Sequence, residues 1–175
     1  ENQSDIHVLG VPLYPTLDES GYKFSYGTLQ DLKINVKSLA SVKDACFAIE
    51  AVQILNEKLP VDIEHIYKGL ESAVIECRMT IINEKSTTVV IDGSHNPEAI
   101  SLLVDDMARI CDGRPVQIVF SCFRDKNIEN MLTKLGLISS NIILTTFPHN
   151  RARTEEEYFL YAEDYKYVYD YNIAI

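Results

Sequence analysis

The 175-residue chain has no tryptophan, only seven glycines and four cysteines, and it is short of cations: 16 Lys and Arg stand against 26 Asp and Glu, a formal net charge of −10. That sign excludes non-specific binding to a nucleic-acid backbone, which needs a basic surface. A single Arg or Lys cluster can still dominate one pocket, so anionic small molecules stay in play. No apolar run nears the ~18 residues of a membrane-spanning helix, and the first residues do not read as a signal peptide. Cys46, Cys77, Cys111 and Cys122 are far apart and form no CxxC pair. Each sits in or beside an apolar run, which predicts buried free thiols and a reducing, cytoplasmic setting. Nothing matches GxxxxGK[ST], GxSxG or HExxH, so the sequence contains no phosphate-cradling loop, nucleophile elbow or zinc helix of those kinds. No three-carboxylate metal cluster is evident. What is present is a 46% apolar chain, long enough for one domain, or one domain plus part of another.

Two patterns divide the chain. Up to about residue 36 the apolar residues alternate, in His7–Leu13, Tyr22–Gly27 and Leu32–Val36, with Gly and Pro breaks; this predicts short antiparallel strands. From Ser41, Val42, Ala45, Cys46, Ile49 and Val52 fall at helical spacing, with Ser41 as the expected N-cap and Pro60 beyond the end. Asp62–Leu70 reads as a second helix closing at Gly69. After Glu71, strands and helices alternate: strands at 87–91, 116–120 and 141–145, helices at 97–110 and 128–135, and a Thr154-capped helix opening on three glutamates, which suit its positive dipole end. That alternation predicts a mostly parallel, doubly wound α/β sheet. The last residues, Tyr165–Ile175, form no closing unit, so a truncated domain is expected.

The chemistry concentrates at strand ends. Val89-Val90-Ile91-Asp92-Gly93-Ser94-His95-Asn96-Pro97 reads as a buried strand delivering a carboxylate and an imidazole to its tip, with Pro97 in the first turn of the next helix and Asn96 or Ser94 as its cap. In open α/β sheets such tips bind ligands; an Asp-Gly turn with a capping network fits the same residues. Arg78 precedes an apolar run leading to the same tip. Asp125-Lys126-Asn127 and Arg151-Ala152-Arg153 follow the next two strands, so three basic loops at one sheet edge would make an anion-receptive rim.

These residues resemble a known family. Asp92-Gly93-Ser94-His95-Asn96-Pro97-Glu98-Ala99 is similar to the DGAHNPxA signature of folylpolyglutamate synthase and dihydrofolate synthase, ATP-dependent enzymes of the Mur ligase superfamily. In the same order, Arg78 resembles the arginine of the family's PGR element, Phe120–Asn127 its FGxxxDKD element and Arg151-Ala152 its PRA element. Cys77 stands where the family has Gly, Ser41 and Asp44 where its HQxxNA element has Gln and Asn, and no Pro precedes Arg151.

The resemblance implies the fold: a Rossmann-like C-terminal ligase domain over residues 72–175, preceded by the tail of the central ATPase domain over 1–71. It also implies the activity, addition of L-glutamate to folate through an acyl phosphate. ATP and Mg2+ serve as cofactors, with the metal ligands expected mainly outside this chain. By similarity, His95, Arg78 and Lys126 are the catalytic candidates. Arg78, Asp92, His95 and Asp44 would contact nucleotide, and Ser94 and Arg151 would contact substrate. Folate, L-glutamate and ATP are the expected partners, with no nucleic acid or membrane and a monomeric full-length protein. The 175 residues alone are expected to be inactive. A Mur-type amino acid ligase and a non-catalytic nucleotide- or anion-binding module remain alternatives.

Overall fold

A computed structural model describes residues 8–56, 58–161 and 164–169. The chain divides into two compact units, residues 1–93 and 94–175.

The first unit opens with an antiparallel meander of β1 (Leu13–Leu17), β2 (Tyr22–Tyr26) and β3 (Leu29–Ile34). Alternation along β2 and β3 puts Tyr22, Phe24, Tyr26, Leu32 and Ile34 on the buried face. The β1–β2 turn is held by Asp18, whose Oδ1 accepts from Ser20 N, Ser20 Oγ and Gly21 N. Gly21 (φ 146°) lies so close to the Ile34 carbonyl that any Cβ would collide with it, so glycine is required there. Helix α1 (Leu39–Leu55) lays Val42, Ala45, Cys46 and Ile49 on the meander, and α2 (Ile63–Ser72) adds Ile66, Tyr67 and Leu70. The N-cap of α1 is Ser38, not Ser41, which is buried one turn in with its Oγ lacking a hydrogen-bond partner. Gly69 lies inside α2 and does not close it. The alternating segment before residue 13 is no strand over its described residues 8–12, and His7 lies outside the described residues.

The unit ends in a ribbon of β4 (Thr80–Glu84) and β5 (Thr87–Ile91), paired antiparallel from Thr80↔Ile91 to Glu84↔Thr87. This corrects the expected buried strand: β5 is half-buried, with Ile91 40% exposed. An all-β-branched Thr-Thr-Val-Val-Ile run suits a half-covered ribbon as well as a sheet centre.

The second unit is α/β, with the expected parallel sheet. Strands β6 (Ile118–Phe120), β7 (Ile142–Thr145) and β8 (Lys166–Val168) pair in parallel, bringing Phe120, Leu144 and Tyr167 into line. Every residue of β7 is buried, as in a strand covered on both faces. Helix α3 (Pro97–Cys111) starts where expected: Asn96 Oδ1 accepts from Ala99 N at 2.9 Å, Pro97 occupies the first turn, and Asp112 (φ 46°) turns the chain out. Helix α4 (Ile128–Leu135) follows β6 with Asn127 as its cap. Thr154 and Glu157 form a capping box on α5 (Glu155–Tyr158), a single turn continued by a 3-10 turn. Ile100, Phe120, Met131, Leu132, Leu135, Ile142, Leu144 and Tyr158 make the core. The expected truncation over Tyr165–Ile175 falls partly outside the described residues, which stop at 169. No helix among them is long and apolar enough to cross a membrane.

Met131 is 0% exposed, whereas Leu137 is 76% exposed. Met131→Ala should lower unfolding stability in urea by about 2–5 kcal/mol, the usual cost of emptying such a site. Leu137→Ala should stay within about 0.5 kcal/mol.

Candidate functional site

In the first unit the Asp92–Gly93 tip folds back on the segment before β4. Asp92 Oδ2 accepts from Met79 N at 2.9 Å, and Gly93 N donates to Cys77 O at 2.7 Å. Cys77 (φ 55°) and Met79 (φ 47°) flank Arg78 in left-handed backbone, a conformation that costs a side-chain-bearing residue about 1–2 kcal/mol. Two hydrogen bonds from residues 92 and 93 thus hold a strained turn that presents Arg78. Asp92 therefore has a structural role, since one carboxylate oxygen shapes the turn that carries the expected phosphate-binding arginine. Arg78 lines a cavity of about 530 Å3 together with Lys37, Asn35, Glu71 and Asn83.

In the second unit the loops after β6 and β7 are tied to each other at the C-terminal edge of the parallel sheet. Phe123 and Ala152 form an isolated antiparallel bridge. Arg124 N donates to Arg151 O (3.0 Å), and Arg124 Nη2 to Ala152 O (3.1 Å). Arg153 Nη2 donates back to Arg124 O (3.0 Å) and Lys126 O (2.9 Å). Asp125 sits among the charges, its Oδ1 2.9 Å from Arg151 Nη2 and its Oδ2 3.5 Å from Lys126 Nζ. The hydrogen bond from Arg151 holds the Asp125 carboxyl below its ordinary pKa, with the charges of Arg151 and Lys126 adding to the effect. Arg151 also lies over the Phe123 ring, 4.6 Å from its centroid, within cation–π range. Phe123, Phe147 and His149 cluster at 5.0–6.2 Å between centroids, and His149 Nδ1 accepts from Arg151 N (3.1 Å). Beside them opens a cavity of about 730 Å3, lined by Arg124, Arg153, His149 and the acids Glu155 and Glu156.

The structure thus brings Lys126 and Arg151 together through Asp125, and Arg78 and Asp92 together through the turn at 77–79. Ser94 and His95 lie in the second unit, His95 exposed and Ser94 half-buried. Asp44 is exposed on α1. Among the described residues no group of three His, Cys, Asp or Glu could hold a metal ion. The thiol expectation holds for Cys46 and Cys122, which are buried; Cys111 is half-buried and Cys77 is exposed, because its backbone turns the chain at the ribbon's base. Burial raises the Cys46 thiol to about 11 and also pushes Cys122 upward, against a lowering hydrogen bond from Arg153. Sequence reasoning missed Asp125, Arg124 and Arg153 as organising groups. The available signal was the density of charge in Arg124-Asp125-Lys126 and Arg151-Ala152-Arg153, each directly behind a strand.

A family profile described as Mur ligase, glutamate ligase domain, matches residues 77–174. The chain is 26% identical over 146 residues to a dihydrofolate synthase/folylpolyglutamate synthase of Bacillus subtilis, covering 80% of this chain and 34% of that protein. Among solved structures, folylpolyglutamate synthase of Mycobacterium tuberculosis, complexed with ADP and AMPPCP, superposes with a TM-score of 0.81 at 20% identity, over 93% of this chain and 39% of that one. A bifunctional folylpolyglutamate synthase/dihydrofolate synthase with Mn, AMPPNP and L-glutamate bound gives a TM-score of 0.66 at 20% identity, over 90% and 37%. The chain therefore spans about a third of the length of the curated relatives it matches, and its fold is that of these ligases.

The tie between the two loops is pH-dependent with a defined sign. Because the folded-state pKa of Asp125 is lowered, the tie's contribution is fully present above the unfolded carboxylate value of about 3.9 and is lost as pH falls through the lowered one. Carboxyl NMR titration should show Asp125 ionising at lower pH than an ordinary aspartate. Arg151→Gln should move it back up; an unchanged titration would mean that Arg151 is not its partner.

Proposed function

The chain belongs to the Mur ligase, glutamate ligase domain family, and on that premise we propose that it is the glutamate-accepting part of an ATP-dependent ligase that adds L-glutamate to a folate. The observation that carries this reading is the rim on the second unit: Arg124, Lys126, Arg151 and Arg153 gathered against Asp125 and Glu157 on a chain whose formal net charge is −10. Such a rim suits the anions of this reaction. The γ-phosphoryl group of ATP passes to the terminal folate carboxylate and ADP leaves. The glutamate amine then attacks the acyl carbon, phosphate leaves, and the nitrogen gives up a proton as the amide forms.

In this reading Arg78, carried on the turn that Asp92 and Gly93 fix, meets the ATP phosphates. Asp92 and His95 face the ribose and phosphate side, and Asp44 faces the base. Ser94 and Arg151 contact the incoming glutamate. Lys126 is a point charge that offsets the negative charge developing on the acyl phosphate, where fixed cations act most strongly once water is excluded. Among the described residues no group of three His, Cys, Asp or Glu could hold a metal ion; in this reading the ligands for Mg2+ lie mainly in the rest of the longer protein, together with the ATP phosphates. The proposed domain boundary lies near residue 72. The family match starts at 77, which supports assigning the β4–β5 ribbon to the ligase domain although it falls within the first compact unit; residues 1–71 would then be the tail of a central ATPase domain. A monomeric, cytoplasmic protein that binds neither nucleic acid nor membrane completes the proposal.

The test has two arms. The 175 residues alone, given ATP, dihydrofolate or tetrahydrofolate, and L-glutamate, should release no ADP above blank, because the sequence has no phosphate-cradling loop. A longer protein carrying this chain should release ADP in step with glutamate incorporation, and Lys126→Ala or His95→Ala should each lower its turnover about 100-fold or more, the scale of losing one preorganised electrostatic contact. Turnover by the chain alone, or unchanged turnover in both variants, would contradict the assignment.

A further inference from the structure

Arg153 is assigned by none of the motifs, yet its backbone and side chain tie the loops together at the sheet edge. Its backbone N donates to Cys122 O (3.4 Å), and its O accepts from Thr146 Oγ1 (2.8 Å). Its Nη2 bonds the carbonyls of Arg124 and Lys126. One residue therefore clasps the carbonyls of 122, 124 and 126 and fixes the path of the β6–α4 loop through the residues that carry Lys126. We propose that Arg153 is a positioning residue for Lys126, an inference that rests on the reading of Lys126 as the cation of the ligase reaction.

The choice of side chain supports this role. Only a planar guanidinium offers several N–H donors in a rigid fork; a lysine ammonium is a compact point on a flexible stem. The arrangement also carries a cost, because Arg153 Nε is buried without a hydrogen-bond partner, and an unmet buried donor costs about 1–3 kcal/mol. An apolar residue would avoid that penalty but would leave the 124 and 126 carbonyls unheld. What the clasp secures is the place of Lys126: its backbone is fixed by Arg153, and its Nζ stands 3.5 Å from Asp125 Oδ2, whose other oxygen is taken by Arg151. Lys126 is thus fixed at its backbone by Arg153 and paired at its Nζ with Asp125, with its side chain 28% exposed toward solvent. Small displacements of such a group are expensive in rate, about 100-fold for roughly 1 Å.

A double-mutant cycle in the ligase carrying this chain tests it, with kcat for ADP release as the readout. Arg153→Met should lower kcat about 10- to 100-fold when Lys126 is present, and less than about twofold when combined with Lys126→Ala, because the group it positions is already gone. If Arg153→Met does not fold, Arg153→Lys keeps the charge but loses the fork; it should lower kcat about three- to tenfold, again only when Lys126 is present. An equal loss in both backgrounds would overturn the proposal and make Arg153 merely structural. Full activity of Lys126→Ala itself would overturn the reading of Lys126, and is a separate result from a failed cycle.

Discussion

The rest of the candidate site depends on the clasp between the two loops that leave β6 and β7. Strand tips in an α/β sheet are naturally close, but closeness does not set the direction of a side chain. Here an isolated bridge, five hydrogen bonds from arginine side chains or main chain, and one carboxylate between two cations join adjacent loops into a single edge. No one of these contacts is strong. An exposed ion pair contributes at most about 1 kcal/mol, and Asp125, Arg151 and Lys126 are all partly in solvent. The order comes from their number, and from the buried strand β7 and helix α4 that anchor both loops from below.

The first unit solves a similar problem by other means. A turn in left-handed backbone presents Arg78, and the following strand returns to hold it through Asp92 and Gly93. Cys77 at φ 55° is the cost of having a side chain where glycine would be at ease. The bond from Asp92 to Met79 N also changes how the acid is read: functional and structural accounts of an Asp-Gly tip had competed, and the carboxylate serves the turn whatever else it contacts.

Much of the fold was legible in the sequence because its signals were local. Asn96-Pro97 marks the start of α3, Thr154 with Glu157 the start of α5, and alternation marks β2 and β3. Errors arose where one local pattern admits two structures. Ser38 and Ser41 are both cap residues, and the burial of Ser41 inside the helix decides between them. Thr87–Ile91 is β-branched throughout, so nothing local distinguishes a central parallel strand from a ribbon paired with the preceding segment. The candidate residues were legible as residue types behind strands. Their organisation was not, because Phe123 meets Ala152, and Asp125 meets Arg151, across more than twenty residues of intervening chain, and no periodicity encodes such pairings.

The central claim is that the tied edge of the second unit receives the anionic amino acid. A two-dimensional NMR titration of the 15N-labelled chain with L-glutamate, with L-glutamine as the control lacking one carboxylate, tests it most directly. The account predicts saturable glutamate-induced shifts at the amides of 122–127 and 149–153, with weaker shifts from glutamine. Shifts confined to the meander and α1, or none in those two loops at millimolar glutamate, would contradict it.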